Sequence, residues 1–324
     1  MVMGRRRTHD KHLPRGMTLE RGSYFYRGAD RKRVNLGRDF ADAMARYGEL
    51  FREAPLSTFG VLLDRYLQLV LPGKAAATRA SQLPQAATIR AVFGHVPPKT
   101  IKPTDVYAFR DRLKARSGAV QANQHLALLK HVCTKGIEWG ALVTNPARDV
   151  RKNPVKARTR YVTDAEVAAV RDLASPMLRC ATDLAVLTGL RRGDLLRLTR
   201  TDCQDDGIHV ATSKTGRVLI IEWSTELRAV VEIAKRIKPH FRQHILATRS
   251  GKPFSSSGFS TAWQRLMVAT KKAGIERFHF HDLRGKSASD SSNLVEASER
   301  LGHSSLDLTR RVYRRKPLKV TPLR

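Results

Sequence analysis

Hydrophobic positions change period several times along the chain, and each change marks a different kind of element. From Thr58 to Leu71, the residues Leu62, Leu63, Tyr66, Leu67, Leu69 and Val70 fall on one broad helical face that Pro72-Gly73 closes. The stretch from Ala75 to Phe93 predicts a second helix, bent near Pro84; Pro103 to Arg116 predicts a third, and Ala119 to Leu142 the longest. Four helices with short connections predict an all-α bundle over residues 56–150. Ahead of it the period is two: Tyr24-Phe25-Tyr26 and Val34-Asn35-Leu36-Gly37 predict short strands about a turn at Gly28-Ala29-Asp30, followed by a helix from Phe40 to Phe51. These make a small β-rich unit, residues 1–55.

Two Asn-Pro breaks, Asn145-Pro146 and Asn153-Pro154, interrupt the periodicity, and residues 151–162 predict a basic linker. Thr163-Asp164-Ala165-Glu166 is a capping box, with Thr163 as N-cap and Glu166 at N3, and opens helices over 164–173 and 176–188. Period two returns at Ile208 to Ala211 and Val218 to Trp223, around Ser213-Lys214-Thr215-Gly216, which predicts a hairpin. Helices follow from Glu226 to Ile237 and Ser257 to Lys272, and Ser304 with Asp307 fits another capping box. Residues 163–324 therefore predict a mixed, mainly α (α+β) domain, the last part of a multidomain chain.

Charge narrows the function. The 324 residues carry 60 Lys and Arg against 29 Asp and Glu, a formal net charge of +31, well beyond what solubility needs and the mark of a polyanion partner. Aromatic residues are only 6%, too few for base stacking to be the main grip, so double-stranded DNA fits better than single strands. Cys133, Cys180 and Cys203 have no metal-ligand spacing and are expected to be reduced thiols. No apolar run of about 18 residues predicts a membrane span. His279 and His281 lack a third ligand, so no metal and no other cofactor is expected.

The chemistry concentrates near the end of the sequence, in Phe280-His281-Asp282-Leu283-Arg284, Leu301-Gly302-His303 and Val312-Tyr313-Arg314-Arg315. A phenol titrates near ~10, so Tyr attacks phosphorus at neutral pH only if a neighbour takes its proton or cations stabilise the phenolate. The transition state loads charge onto two non-bridging oxygens, and guanidinium forks answer it with paired charge-assisted hydrogen bonds. Arg284 is one fork; a second stands upstream in Leu187-Thr188-Gly189-Leu190-Arg191-Arg192-Gly193-Asp194, where Thr188-Gly189 breaks the chain just before Arg191.

Thr-Gly-Leu-Arg, His-Asp-Leu-Arg, Leu-Gly-His and a closing Tyr, in this order over about 125 residues, resemble the tyrosine recombinase (phage integrase) family. Singly each motif is weak; their joint order is specific. The resemblance implies Tyr313 as nucleophile, Arg191 and Arg284 as phosphate clamps, His281 as proton acceptor or phosphate donor, and His303 as a phosphate hydrogen-bond donor. Expelling a 5′ alkoxide is slow without an acid, and Lys214, placed like the family's hairpin Lys, is the implied donor. Tyr313 lies ten residues after His303, one more than the family's usual spacing. Straight helix over ten residues would span about 15 Å and turn the two side chains apart, so a bend is expected.

The first residues sharpen the resemblance. Gly4-Arg5-Arg6-Arg7, Leu13-Pro14, Gly22-Ser23-Tyr24-Phe25-Tyr26-Arg27 and Leu36-Gly37-Arg38-Asp39 are similar to the arm-binding domain of lambda-type integrases, which implies a three-stranded sheet with a helix; composition alone also allows a disordered basic tail. The bundle is implied to bind core DNA and the linker to close a clamp on it, with Arg5, Arg6, Arg7, Arg27, Arg148, Arg151, Lys152 and Arg158 as DNA contacts. The implied function is site-specific strand exchange through a 3′-phosphotyrosyl link and a Holliday junction, by a homotetramer in the bacterial host cytoplasm or nucleoid. A host DNA-bending protein and an excision factor are further candidate partners. Rival readings are a dimer-resolving recombinase and a non-catalytic DNA-binding protein on the same scaffold. The basic end, with Leu318, Val320 and Leu323, is either loose or docked on a neighbouring subunit.

Overall fold

A computed structural model describes residues 13–14, 16–27, 33–53, 56–156, 158–214, 216–237, 242–303, 305–313 and 315–316. The chain divides into two compact units, Met1–Lys156 and Ala157–Arg324, parting inside the basic linker. Among the described residues, no helix is long and apolar enough to cross a membrane.

The first unit opens with an antiparallel sheet of β1 (Met17–Glu20), β2 (Ser23–Arg27) and β3 (Arg33–Gly37) in sequence order, covered by α1 (Phe40–Glu53). Strand β1 escapes the period-two reading because only Met17 of its four residues is buried; the three-stranded sheet implied by the resemblance is present. Its core is small: Leu13, Met17, Leu36, Ala43 and Tyr47. The turn at Gly28-Ala29-Asp30 and the run Arg5-Arg6-Arg7 lie outside the described residues.

Helices α2 (Phe59–Leu69), α3 (Ala76–Phe93) and α4 (Pro103–Glu138) form the bundle around Phe59, Leu62, Tyr66, Ile89, Phe109 and Leu129. Pro84 sits within α3. The two helices expected between Pro103 and Leu142 run end to end as α4, separated only by Gly118 at φ 82 and ψ 164. The second stops four residues short of the expected Leu142. There the backbone turns left-handed at Gly140, and the Ala141 and Leu142 amides close on the Gly136 carbonyl at 2.8 and 3.2 Å. The chain beyond packs back onto the bundle: Asn123 exchanges two 2.8 Å bonds with the Asn153 backbone, and Arg110 donates to the Arg151 carbonyl at 2.6 Å.

The second unit contains α5 (Asp164–Leu173), α6 (Pro176–Thr188), the short α7 (Arg192–Leu195), the hairpin β4 (Gly207–Ala211) and β5 (Val218–Glu222), α8 (Thr225–Arg236), α9 (Ser256–Lys272), α10 (Asp282–Asp290), α11 (Leu294–Arg300) and α12 (Leu306–Leu308). The Thr163 capping box forms, with Glu166 accepting from the Thr163 amide at 2.9 Å. Val170, Leu184, Leu195, Ile208, Phe259 and Leu283 lie at the centre of its core. Phe280 stands edge-on to Phe259 and Trp263, at centroid distances of 4.8 and 5.0 Å, which fixes the chain just before α10. The capping box expected at Ser304 lies outside the described residues; α12 has Ser305 at its N-cap, without a side-chain cap bond.

Candidate active site

Helix α6 ends at Gly189, whose φ of +64 and close neighbours both demand glycine: an added Cβ would lie 3.0 Å from the Leu301 Cδ2 and 3.0 Å from the Ser287 Oγ. This sharp turn sets Arg191 at the N-cap of α7. Three residues on, Asp194 is 1% exposed and accepts from the Ser213 amide at 2.8 Å and from Arg197 at 2.7 Å. Burial pushes its carboxyl pKa up, but the hydrogen bonds from Ser213 and the Arg197 charge outweigh it and hold the group ionised. Asp194 thereby ties the Arg191 turn to the hairpin that carries Lys214.

Arg284 projects from the first turn of α10 and is 2% exposed. Its guanidinium donates to the Gly189 carbonyl, to the Leu301 carbonyl at 2.7 Å and to His303 Nε2 at 3.1 Å. Burial first, then the Arg191 charge, lowers its pKa to about 10, which leaves it charged at neutral pH. Arg284 Nε and Arg191 Nη1 are both buried with no hydrogen-bond partner among the described residues. Two donors desolvated in this way are costly unless an anion completes them.

His303 has a definite tautomer by hydrogen-bond logic. Its Nε2 faces an Arg284 donor and must accept, so the proton sits on Nδ1 and is donated to Thr309 Oγ1 at 2.8 Å. Burial, with the Arg284, Arg191 and Lys214 charges, lowers its pKa to about 4. His281 is shifted the same way, by burial and then by Arg284.

Tyr313 lies between the two histidines, 9% exposed, with ring centroids 5.8 Å from His281 and 4.9 Å from His303. Its hydroxyl is 3.3 Å from His281 Nε2, and the Arg284 guanidinium lies 5.3 Å from its ring centre. The bend expected between His303 and Tyr313 takes the form of a π-helical turn, Thr309–Tyr313, that follows α12. A π turn holds one residue more than an α turn. It matches the single extra residue in the His303–Tyr313 spacing and leaves the two rings in contact.

The structure therefore brings Arg191, His281, Arg284, His303 and Tyr313 together, with Lys214 at the exposed hairpin tip, where its charge is felt at His303. Beside them, a cavity of about 550 Å³ is lined by Arg158, Arg191, Arg192, His279 and His281. Among the expected DNA contacts, Arg27, Arg148, Arg151, Lys152 and Arg158 are exposed, and Arg5, Arg6 and Arg7 lie outside the described residues. Among the described residues, no three His, Cys, Asp or Glu side chains stand close enough to share a metal ion. Two supports were not anticipated. Asp194, the lone carboxylate among the leucines and arginines from Leu190 to Leu198, was detectable as a charge that burial beside Leu195 would force into partnership. Thr309, fully buried against His303, left no local signal.

Comparison with known proteins places this geometry. Residues 161–318 match the phage integrase family. The integrase of Escherichia phage HK022 is 28% identical over 94% of each chain, and that of Escherichia phage lambda 27% identical over the same shares. Among solved structures, a lambda integrase dimer bound to a COC′ core site aligns with a TM-score of 0.71 and 25% identity, over 98% of this chain and 99% of that one. A lambda integrase tetramer bound to a Holliday junction aligns at 0.67 and 26% identity, over 91% and 97%. Sequence and fold agree: residues 161–318 are a phage integrase family domain, and the chain is a lambda-type tyrosine recombinase.

Proposed function

We propose that Tyr313 attacks a DNA phosphate within a site bounded by Arg191, Arg284, His281, His303 and Lys214. The observation that carries this is the pair of buried guanidinium nitrogens, Arg191 Nη1 and Arg284 Nε, unpartnered among the described residues, with the Arg284 guanidinium over the Tyr313 ring and the Arg191 charge felt at Arg284. A non-bridging phosphate oxygen is the anion they lack, and its arrival would also favour a proton on His303 Nε2, turning that atom into a donor. His281 Nε2, neutral and facing the phenol, takes the Tyr313 proton. As the Tyr–phosphorus bond forms, the bond to the 5′ oxygen breaks, and Lys214 protonates the leaving oxygen. The product is a 3′-phosphotyrosyl link and a free 5′ hydroxyl. Attack by a partner strand's 5′ hydroxyl reverses the steps and rejoins DNA through a Holliday junction, with no energy cofactor, because the phosphodiester energy is kept in the link.

The substrate is double-stranded DNA, and the working assembly a homotetramer, as in the lambda integrase bound to a Holliday junction. Residues 1–55 act as the arm-site module with Arg5, Arg6, Arg7 and Arg27; residues 56–150 grip the core site; Arg148, Arg151, Lys152 and Arg158, in or beside the linker over 151–162, contact phosphates; and residues 163–324 carry the chemistry. Bridging two sites requires bending stiff DNA between them, so a host bending protein assists and an excision factor sets direction. The reaction integrates or excises a mobile element in the bacterial host cytoplasm. The test is to present nicked duplexes from the DNA flanking the gene and look for detergent-resistant adducts: the native chain forms them and Tyr313→Phe does not. An adduct that persists in Tyr313→Phe sinks the assignment; a native chain that binds its mapped site without ever forming an adduct supports the non-catalytic alternative.

A further inference from the structure

The chain on the far side of Tyr313 is held by a second set of buried polar contacts that no step of the chemistry uses. Arg315 Nη1 pairs with Asp282 Oδ1 at 2.7 Å, and their side chains are only 6% and 4% exposed. The same guanidinium donates to the Arg160 carbonyl at 3.2 Å and, through Nε, to the Val312 carbonyl at 3.1 Å. Ser289 completes the set from the same helix as Asp282. Its single proton is shared between the Gly285 carbonyl at 2.7 Å and the Tyr313 carbonyl at 3.0 Å, and its oxygen accepts from the Arg315 amide at 2.7 Å. Gly285, one turn after His281, leaves the room required: an added Cβ would lie 3.2 Å from the Arg315 guanidinium carbon.

We propose that Asp282, Ser289 and Arg315 are positioning residues for Tyr313, clamping the nucleophile's segment to the helix that carries Arg284. The inference rests on Tyr313 being the nucleophile, and it extends that assignment to how the hydroxyl is kept in reach. Four features converge on it. Asp282 directly follows His281 and lies two residues before Arg284, so the carboxylate that grips Arg315 is rigidly tied to two catalytic side chains. Asp282 is itself oriented by accepting from the His279 amide at 2.8 Å, and Arg158 stands 3.7 Å away. Ser289 grips the backbone on both sides of the Tyr313–Arg315 step rather than a side chain, so it fixes the main chain from which the phenol projects. On the near side, Thr309 holds the start of the π turn to His303. The nucleophile thus sits on a short span fastened at both ends, and the wide turn between is too irregular to be held by helical bonds alone.

The test compares the full chain with Arg315→Met, Arg315→Lys and Ser289→Ala on a nicked duplex carrying the cleavage site, measuring the single-turnover rate of adduct formation and, separately, DNA affinity. Displacing a reacting group by about 1 Å costs roughly 100-fold, so Arg315→Met and Ser289→Ala slow adduct formation about 10- to 100-fold while half-saturation for DNA stays within about twofold. Arg315→Lys, which still presents a cation to Asp282, recovers most of the rate. Hydrogen exchange by mass spectrometry shows faster exchange confined to residues 305–316 in the slow variants. Full cleavage rates in both variants overturn the proposal, as does a rate lost only in proportion to DNA affinity, or an Arg315→Lys variant as slow as Arg315→Met. If the native chain's adduct persists in Tyr313→Phe, the nucleophile assignment has failed instead, and the exchange of residues 305–316 reports on the clamp independently.

Discussion

At the residue scale, the site is defined by desolvated cations and neutral imidazoles, and among the described residues no carboxylate forms an ion pair with either phosphate-facing guanidinium. Of the two buried acids close by in sequence, Asp194 accepts from Ser213 and Arg197, and Asp282 pairs with Arg315. The difference between a guanidinium fork and a point charge is therefore directly measurable. Arg284→Lys cannot reach the Gly189 carbonyl, the Leu301 carbonyl, His303 and a phosphate from one planar group, and a single-turnover assay should show cleavage slowed by about 100- to 1000-fold. The pH dependence follows from His303. Its pKa is about 4 in the fold and roughly 6.5 in an unfolded chain. Below about 6.5 the unfolded state takes up a proton that the folded state refuses, so stability falls with pH until the folded His303 also titrates near 4. Melting temperature should thus decline across this window, more steeply for the native protein than for His303→Gln. His281 and His131, both shifted down by burial, add to the decline in either protein, which is why the difference between the two curves is the quantity to read.

At the element scale, glycines mark where the chain changes direction, and they can be separated by what surrounds them. Gly189 is pinned by both conformation and packing, whereas Gly118, at φ +82, has nothing within 4 Å of where a Cβ would stand. Gly118→Ala therefore carries only the strain of an extended, positive-φ backbone that glycine alone adopts readily (φ 82, ψ 164), and chemical denaturation should show a loss of about 1 to 3 kcal/mol with cleavage chemistry unchanged. Much at this scale was legible in the sequence. The broad apolar face of α2, the Thr163 capping box and the Gly-turn hairpin all formed because local propensity and tertiary burial agree there. Strand β1 and the end of α4 were not legible. The first buries only one of its four residues, and the second is set by Gly140, an isolated glycine that an otherwise helical stretch can hide.

The catalytic motifs were readable for a different reason: each is a short string whose residue types are constrained by chemistry. Their supports lie close to the motifs in sequence but carry no signal of their own. Thr309, Ser289 and Arg315 meet the site only through the fold, and no periodicity announces them. The π turn lies between the two cases. The extra residue between His303 and Tyr313 predicted an irregularity, and the structure supplied its form.

At the scale of the whole molecule, the surplus of 60 basic over 29 acidic residues dominates how the protein meets DNA. Each phosphate neutralised releases condensed counterions, so affinity should fall steeply with salt. A footprint of about 6 to 10 phosphate contacts predicts roughly a 10³- to 10⁵-fold loss between about 50 and 200 mM salt. Titrations of a labelled duplex at several salt concentrations give the slope, and removal of residues 1–55 should make it shallower while leaving core-site cleavage in place. An unchanged slope would mean that the first fifty-odd residues do not touch DNA.

The covalent link to DNA is the most direct readout of the chemistry at Tyr313. The native chain should be trapped on a nicked duplex carrying its cleavage site, digested with protease, and the nucleotide-bearing peptide sequenced by mass spectrometry, with the free DNA end identified by labelling. The expected result is a peptide modified at Tyr313, joined to a 3′ phosphate, with a 5′ hydroxyl on the released strand. A modification on any other residue, or a link through a 5′ phosphate, would contradict the site as described.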